Sequence, residues 1–460
     1  MEHQTSNIVH DFSLESTMRS PVPTSRPAAF RRALTCAAAA LTVLVAGCSS
    51  GAGATKSDGS ITSDANETLL VWTDPTRQAG FEQFQKAHPD IKMKIETYDG
   101  NALLTKMKLF NRTGKGWPDI LFDGRTTRIA QWTDPSMDYA QPLDALVPQD
   151  VRAQFGSSND PCTADGKLYC LRNDLAQTVL WYDKTLMDQF GYQVPKTWDE
   201  YRTLGERVAK EHPGYIIGSA GSQFSYYDYF WASGCPIQQV TGPKKVHIDL
   251  KDPRCTRVAE LLDPLVKAGS VTGVGLFDPE MAQLGKQGKV LMLPGASWLG
   301  DFLFKPENLF ATPNGRIAAA PYPSWQGETT NWSGSVGGGI YVVSRHSKNM
   351  KGAAEVVQWM TTSTDYQKTA PTYPAYGPAA KAWAERLAGD KFYAADPFPV
   401  MEQQSAKVNP VESPTSYDVE GAFTEVLVPS VRSGAGIAAA LDALQTRLVN
   451  LAKADGYVVE

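Results

Sequence analysis

Three short apolar runs, separated by two segments of helical periodicity, follow the first polar stretch of this chain, and their order leaves few folds open. Thr68 to Trp72 (TLLVW) has the length and apolar character of a buried strand. Ala79 to Ala87 carries Phe81 and Phe84 at helical spacing, and His88-Pro89 ends that helix. Ile91 to Thr97 (IKMKIET) alternates apolar and polar residues, Ala102 to Asn111 is a second helix, and Asp119 to Phe122 (DILF) is a third buried strand. Strands joined through helices pair in parallel, so an α/β fold is predicted. Further strands are expected at Thr178 to Tyr182, Val290 to Leu293 and Ile340 to Val343, with helices at Thr197 to Lys210, Gly352 to Thr361 and Gly436 to Ala452. The helix at Thr197 opens on Thr-Trp-Asp-Glu, a capping box. A chain of 460 residues should divide its core between two domains.

Ahead of the first strand, Arg31 and Arg32 precede an apolar run from Ala33 to Ala46, too short for a bilayer-spanning helix but suited to a signal peptide. Met1 to Thr17 is unlike the start of such a segment, which makes Met18 a candidate start. The run ends Leu44-Val45-Ala46-Gly47-Cys48, which resembles the lipobox of bacterial lipoproteins. That resemblance implies a lipoprotein signal peptide over residues 1–47, a lipid on Cys48, and anchoring at the extracytoplasmic face of the bacterial cell membrane. Residues 48–65, rich in Gly, Ser, Ala and Thr, are expected to form a flexible tether.

With Cys36 and Cys48 set aside, Cys162, Cys170, Cys235 and Cys255 remain, and four cysteines outside the cytosol suggest two disulfides. Three pairings are possible; Cys162 with Cys170 and Cys235 with Cys255 is favoured, because each closes a short loop. Zinc has no support from a Cys-x-x-Cys or His-Glu-x-x-His spacing. Forty-four basic against 49 acidic residues, a net charge of -5 with no basic run, argues against a nucleic acid partner. No phosphate loop or nucleophile elbow is present, which counts against an enzyme, and no cofactor is expected. Eleven Trp and 18 Tyr favour a ligand with flat faces.

Six segments in order carry a resemblance: TLLVW with the Phe81/Phe84 helix, GWPDILF (Gly116 to Phe122), ADGKLYCL (Ala164 to Leu171), LWYDKTLMDQFGYQVPKTWDEY (Leu180 to Tyr201), GKQGKVLMLPGASW (Gly285 to Trp298) and GGGIYVVSRHSKNMKGAAEVVQWM (Gly337 to Met360). Together they resemble the extracellular solute-binding proteins of bacterial ABC sugar importers, the group that includes maltose-binding protein. The resemblance implies a two-lobed periplasmic-binding-protein-like fold, each lobe a mostly parallel sheet flanked by helices, with several hinge crossovers. Residues 66–175 with 318–368 would form one lobe, and 176–317 with 369–460 the other. It further implies a monomer that catalyses no reaction, traps a sugar or oligosaccharide between the lobes, and delivers it to the permease subunits of an ABC importer. Asp183, Cys170 and Arg172 depart from the residues common at their positions in the family, which leaves the ligand open.

Candidate ligand contacts follow from position. Asp74 follows the first strand, Asp123 and Arg125 the third, and open α/β sheets bind ligands at those carboxyl ends. Asp174 and Gln177 lie near the expected crossover. Trp298, after the Pro294-Gly295-Ala296-Ser297 loop, matches the family's cleft Trp. Trp332 precedes the Gly337 to Gly339 run, whose glycines allow close backbone approach to a ligand or a packed element. Tyr227 and Trp231, four apart, share a helix face and divide between core and cleft. Tyr417 is included because the family often has an aromatic residue before its penultimate helix. Two alternatives stay open: a receptor for a cationic or other polar solute such as a polyamine or peptide, and a secreted carbohydrate-active enzyme, which would need two carboxyls at a set separation.

Overall fold

The structure is a computed structural model that describes residues 60–98, 100 and 102–460. The signal-like segment 1–47, Cys48 and residues 49–59 lie outside the described residues. The described end of the tether is tied down. Thr62 Oγ1 donates to the Ser347 carbonyl at 2.7 Å and accepts from the Met350 amide at 3.2 Å, and the Asp64 amide donates to the Lys348 carbonyl at 3.1 Å.

The opening segment folds as strand, helix, strand, helix, strand: β1 Leu69–Thr73, α1 Pro75–Ala87, β2 Met93–Thr97, α2 Leu103–Thr113 and β3 Ile120–Asp123. β1 lies between β2 and β3 and is parallel to both. Phe81 and Phe84 of α1 are fully buried, which is what their spacing on one helix face requires.

β4 Leu171–Arg172 leads almost directly to β5 Thr178–Asp183, which is followed by α3 Trp198–Glu211, α4 Gln223–Ser233, β6 Met292–Ala296, β7 Ile317–Ala320, β8 Ile340–Val343, α5 Met350–Thr362, α6 Val419–Arg432 and α7 Leu441–Ala454. The first sheet has the order β2-β1-β3-β8-β4, with β8 antiparallel to both neighbours. A second sheet, β6-β5-β7, is antiparallel throughout, where parallel pairing is expected from the sequence. Several helices and strands separate β5 from β6 and β7, so the connections leave either direction open, and both partners return antiparallel to β5. Parallel pairing does occur beside this sheet, in the bridge of Ile216 with Val290 and the pairing of Val271–Thr272 with Gly218–Ser219.

Each sheet has its own core. Phe81, Phe122, Trp132 and Tyr341 pack around the first. The second is covered on both faces: Leu180 points into a core with Trp198, Tyr229 and Phe423, while Val179 and Trp181 point into one with Phe304, Phe310 and Trp383. Two-sided burial is why TVLWY is apolar without alternation. Ala318 to Ala320 pair with β5, so the chain crosses back to the first sheet only after Ala320, and the first core takes in Ala375, Tyr376 and Ala379.

Local chemistry fixes the ends of these elements. Thr197 Oγ1 accepts from the Glu200 amide at 3.1 Å, and Glu200 reaches back one residue further than a capping box requires, accepting from the Lys196 amide at 2.6 Å. The last long helix begins at Leu441 rather than Gly436. The amides of Ile437 and Ala438 donate to the Asp263 carboxylate at 2.7 and 3.0 Å, and Ala438–Ala440 form a 3-10 turn. Cys162 is bonded to Cys170 and Cys235 to Cys255, with Cα separations of 5.1 and 4.7 Å. The first clasps the hairpin Thr163–Ala164 with Lys167–Leu168; the second ties the end of α4 to the helix Pro253–Ala268.

Candidate functional site

The carboxyl ends of β1 and β3 meet the amino end of β8 at one edge of the first sheet, and a cleft of about 320 Å³ opens there towards the second core. Asp74 caps α1: its Oδ1 accepts from the Arg77 amide at 2.8 Å and its Oδ2 from Arg77 Nη1 at 2.9 Å. The Arg77 guanidinium lies 4.7 Å over the Phe122 ring and 5.9 Å over that of Phe302. Its Nη2 is 3.7 Å from Asp174 Oδ1. Burial alone would lower the Arg77 pKa, but Asp74 and Asp174 hold it above the ordinary value.

Asp123, 2% exposed, accepts from the Trp132 indole N–H at 3.0 Å and lies 3.8 Å from Arg128 Nη1. Burial raises its pKa, with Arg128 and Arg125 pulling the other way. Arg125 reaches across to α6, where its Nε is 2.9 Å from Glu420 Oε2. Asp174 Oδ1 accepts from the Gly339 amide at 2.9 Å and from Asn173 Nδ2 at 2.7 Å; burial raises its pKa as well. The three arginines of the cleft therefore each face a carboxylate.

The opposite wall is aromatic. Trp298, half-buried, donates its indole N–H to the Val336 carbonyl at 2.7 Å, which fixes the ring plane. Phe277 lies nearly parallel to it, 12° off with centroids 6.1 Å apart, while Phe224 and Phe302 meet it edge-on at 6.1 and 6.2 Å. Phe277 is 45% exposed, a large apolar side chain left uncovered at the cleft rim. Gly337 and Gly338 have φ of +94° and +75°. A Cβ on Gly338 would stand 2.7 Å from Arg172 Nη2, and one on Gly337 3.3 Å from the Trp298 indole nitrogen, so the glycines serve close packing at the cleft floor.

Asp74, Asp123, Arg125, Asp174 and Trp298 thus converge on one cleft. Gln177 and Trp231 line a second cavity of about 470 Å³, which shares only Gly337 with the first lining. Tyr227 and Tyr417 are buried and flank a narrow space beside Glu420. Tyr227 packs edge-on against Phe423 and Tyr417 against Tyr457. Trp332 is half-buried and lines neither cavity. The cleft also holds residues that sequence reasoning did not single out: Arg77, Arg128, Tyr98, Thr372 and the three phenylalanines. Arg77 had a signal, standing one turn into a helix opened by Asp74-Pro75; Phe277 had none. Among the described residues no group of three His, Cys, Asp or Glu side chains is placed to hold a metal, and no helix is long and apolar enough to cross a membrane.

Three comparisons bear on this arrangement. The family model described as bacterial extracellular solute-binding protein matches residues 71–367. The arabinooligosaccharide-binding protein of Bacillus subtilis (strain 168) is 29% identical over 180 residues, 37% of this chain and 40% of that protein, so the match spans less than half of the relative. Among solved structures, the galacto-N-biose-/lacto-N-biose I-binding protein of the ABC transporter from Bifidobacterium longum, in complex with lacto-N-biose, superposes with a TM-score of 0.72 at 19% identity, over 85% of this chain and 98% of that one. The GacH receptor of Streptomyces glaucescens, whose structures include complexes with acarbose, gives 0.68 at 18%, over 85% and 99%. The two sheets, two sets of cores and repeated crossings are the two-lobed fold of these structures.

Proposed function

Because the chain belongs to the bacterial extracellular solute-binding proteins, we propose that it captures a neutral sugar or oligosaccharide in the Trp298 cleft and delivers it to the permease of an ABC importer. The observation that carries this reading is the pairing of a fixed aromatic plate with charges that are already neutralised. Carbohydrate presents an apolar C–H face and a rim of hydroxyls. Trp298 and Phe277 suit the face. Arg77 with Asp74, Arg128 with Asp123 and Arg125 with Glu420 supply directed donors and acceptors without net charge. A polyamine would need carboxylates free of arginine partners, and each carboxylate of the cleft lies within 4 Å of an arginine. The names of the relatives, an arabinooligosaccharide-binding protein and a lacto-N-biose complex among them, point the same way.

On this reading the molecule works as a binding protein rather than a catalyst. Asp123 and Asp174 are taken up by Trp132, Gly339 and Asn173, which suits anchoring more than proton transfer. The two lobes close on the ligand by hinge motion. Acylation at Cys48 would hold a monomer near its permease. The test is a thermal-shift and Trp-fluorescence titration against mono- and oligosaccharides, with spermidine as the cationic arm. A raised melting temperature and altered emission with at least one sugar are expected by mass action. A response to spermidine alone, or sugar cleavage products without a shift, would overturn the reading.

A further inference from the structure

The exposed face of α2 carries charge that neither the cleft nor the core uses. Between Asp99 and Asp119 the chain holds Lys106, Lys108, Arg112 and Lys115 and no carboxylate, although the whole chain has a net charge of -5. α2 buries Leu103 and Met107 and leaves all four cations exposed. Lys108 and Arg112 are one turn apart, as are Lys106 and Leu109. Leu109, 50% exposed, is a large apolar side chain left open in the middle of these cations. Among the described residues none of the four forms an ion pair: Lys106 Nζ lies 5.3 Å over the Trp72 ring, and Glu96 on the adjoining strand is already held by Lys94 Nζ at 2.6 Å and by the Trp72 indole N–H at 3.1 Å. The helix dipole accounts for Arg112 in the last turn but not for Lys106 and Lys108.

The place of this face in the fold indicates what it meets. α2 starts just after Tyr98 and Gly100, which line the cleft, and runs to the opposite edge of the first sheet. There Trp117 stacks on His346, with centroids 4.6 Å apart and planes 2° from parallel, next to the Ser347 and Lys348 carbonyls that hold Thr62 and Asp64. The chain therefore arrives from the direction of Cys48 at the edge where α2 ends. The twelve residues from Cys48 to Gly59 reach at most about 40 Å when extended. An acylated Cys48 keeps this edge within that reach of the bilayer, while the cleft opens at the other edge. Cations around one open Leu suit a lipid headgroup layer, which offers phosphates to the first and an acyl boundary to the second. A soluble polyanion would leave Leu109 without a partner.

We propose that the exposed face of α2 is a contact surface for anionic lipid headgroups, on which the anchored protein rests with its cleft uncovered. The contact goes beyond sugar capture and takes only its setting from acylation at Cys48. The experiment is co-sedimentation of the processed chain, carrying Cys48→Ser so that no lipid is attached, with vesicles of phosphatidylcholine alone or with one-third phosphatidylglycerol. Binding to the anionic vesicles should exceed binding to the neutral ones at least tenfold at low salt and decline as salt rises. Lys106→Gln, Lys108→Gln and Arg112→Gln together should lower it at least tenfold, each cation being worth roughly fivefold. Leu109→Ser should lower it severalfold at either salt. As a control, Lys267→Gln, Lys381→Gln and Lys453→Gln together remove three exposed cations elsewhere and should leave binding within twofold. All these substitutions are at exposed positions, and an unchanged melting temperature shows that the variants are folded. Equal binding to the two kinds of vesicle, equal loss in the control and α2 sets, or full binding by the α2 set or by Leu109→Ser would overturn the proposal. Binding to an oligonucleotide but not to vesicles would do the same. None of these outcomes bears on sugar capture, which the ligand titrations test separately.

Discussion

Replacing Trp298 by Ala removes the plate on which the proposed ligand rests, and the structure sets the size of the loss. The indole is half-buried and offers the cleft one face; its other contacts are to Phe224, Phe277 and Phe302. An aromatic side chain buries roughly 150–250 Å², so one face at about a third of that, at ~25 cal/mol/Å², contributes about 1.5–2 kcal/mol. Specific stacking adds ~0.5–1 kcal/mol, giving about 2–3 kcal/mol and a loss of roughly 30- to 150-fold in affinity. The variant also leaves the Val336 carbonyl without its 2.7 Å donor, which costs ~1 kcal/mol of stability and appears in the melting temperature rather than in binding. Trp298→Phe separates the two effects, since it keeps a flat ring and loses the N–H. It should share the stability loss and recover most of the affinity. Titration calorimetry with the tightest-binding sugar, paired with differential scanning calorimetry, measures both. A Trp298→Ala protein that binds within twofold of the parent would refute the reasoning.

Other outcomes follow from features outside the cleft. Thr197→Ala removes the cap on the Glu200 amide and should lower stability by about 1 kcal/mol in denaturant melts, with ligand affinity unchanged. Replacing Cys235 and Cys255 together by Ser opens a loop of sequence separation 20 and should cost ~3 kcal/mol, read as a lower denaturant midpoint. Burial pushes the Glu412 carboxyl from its ordinary 4.5 up to about 8. The unfolded chain then gives up this proton before the folded one, so the group's contribution is whole below the ordinary value and is lost as pH rises towards 8. Glu412→Gln should therefore melt above the parent protein at pH 9 and level with it at pH 4.

The parts of the fold that depend on local pattern could be read from the chain. TLLVW, DILF and the Ile340 to Val343 run are strands because each is buried on both faces, and the Thr197 box opens a helix because its bonds span only four residues. Strand direction in the second sheet could not be read, since the partners of β5 come from far along the chain and no residue within β5 sets their direction. The site divides in the same way. Asp74 and Asp123 stand at strand ends visible in the sequence, and Asp174 beside the expected crossover. Phe277 comes from a turn and Phe302 from the short helical segment Gly300–Phe304, whose positions depend on the packing of the second lobe, and Trp231 shares its helix with neighbours that are all buried. A run such as YYDYFW shows that some rings must be covered, but only the tertiary arrangement selects which edge stays open.

β8 sits between β3 and β4 in the first sheet yet is synthesised after all three strands of the second sheet. Until Ile340 to Val343 emerge, β3 has an unpaired edge and the core around Phe122 lacks Tyr341. Such late, long-range closure makes folding slow and leaves the nascent amino-terminal half open for an extended time. A fragment ending before Ile340 should expose that edge and aggregate rather than fold as an isolated lobe.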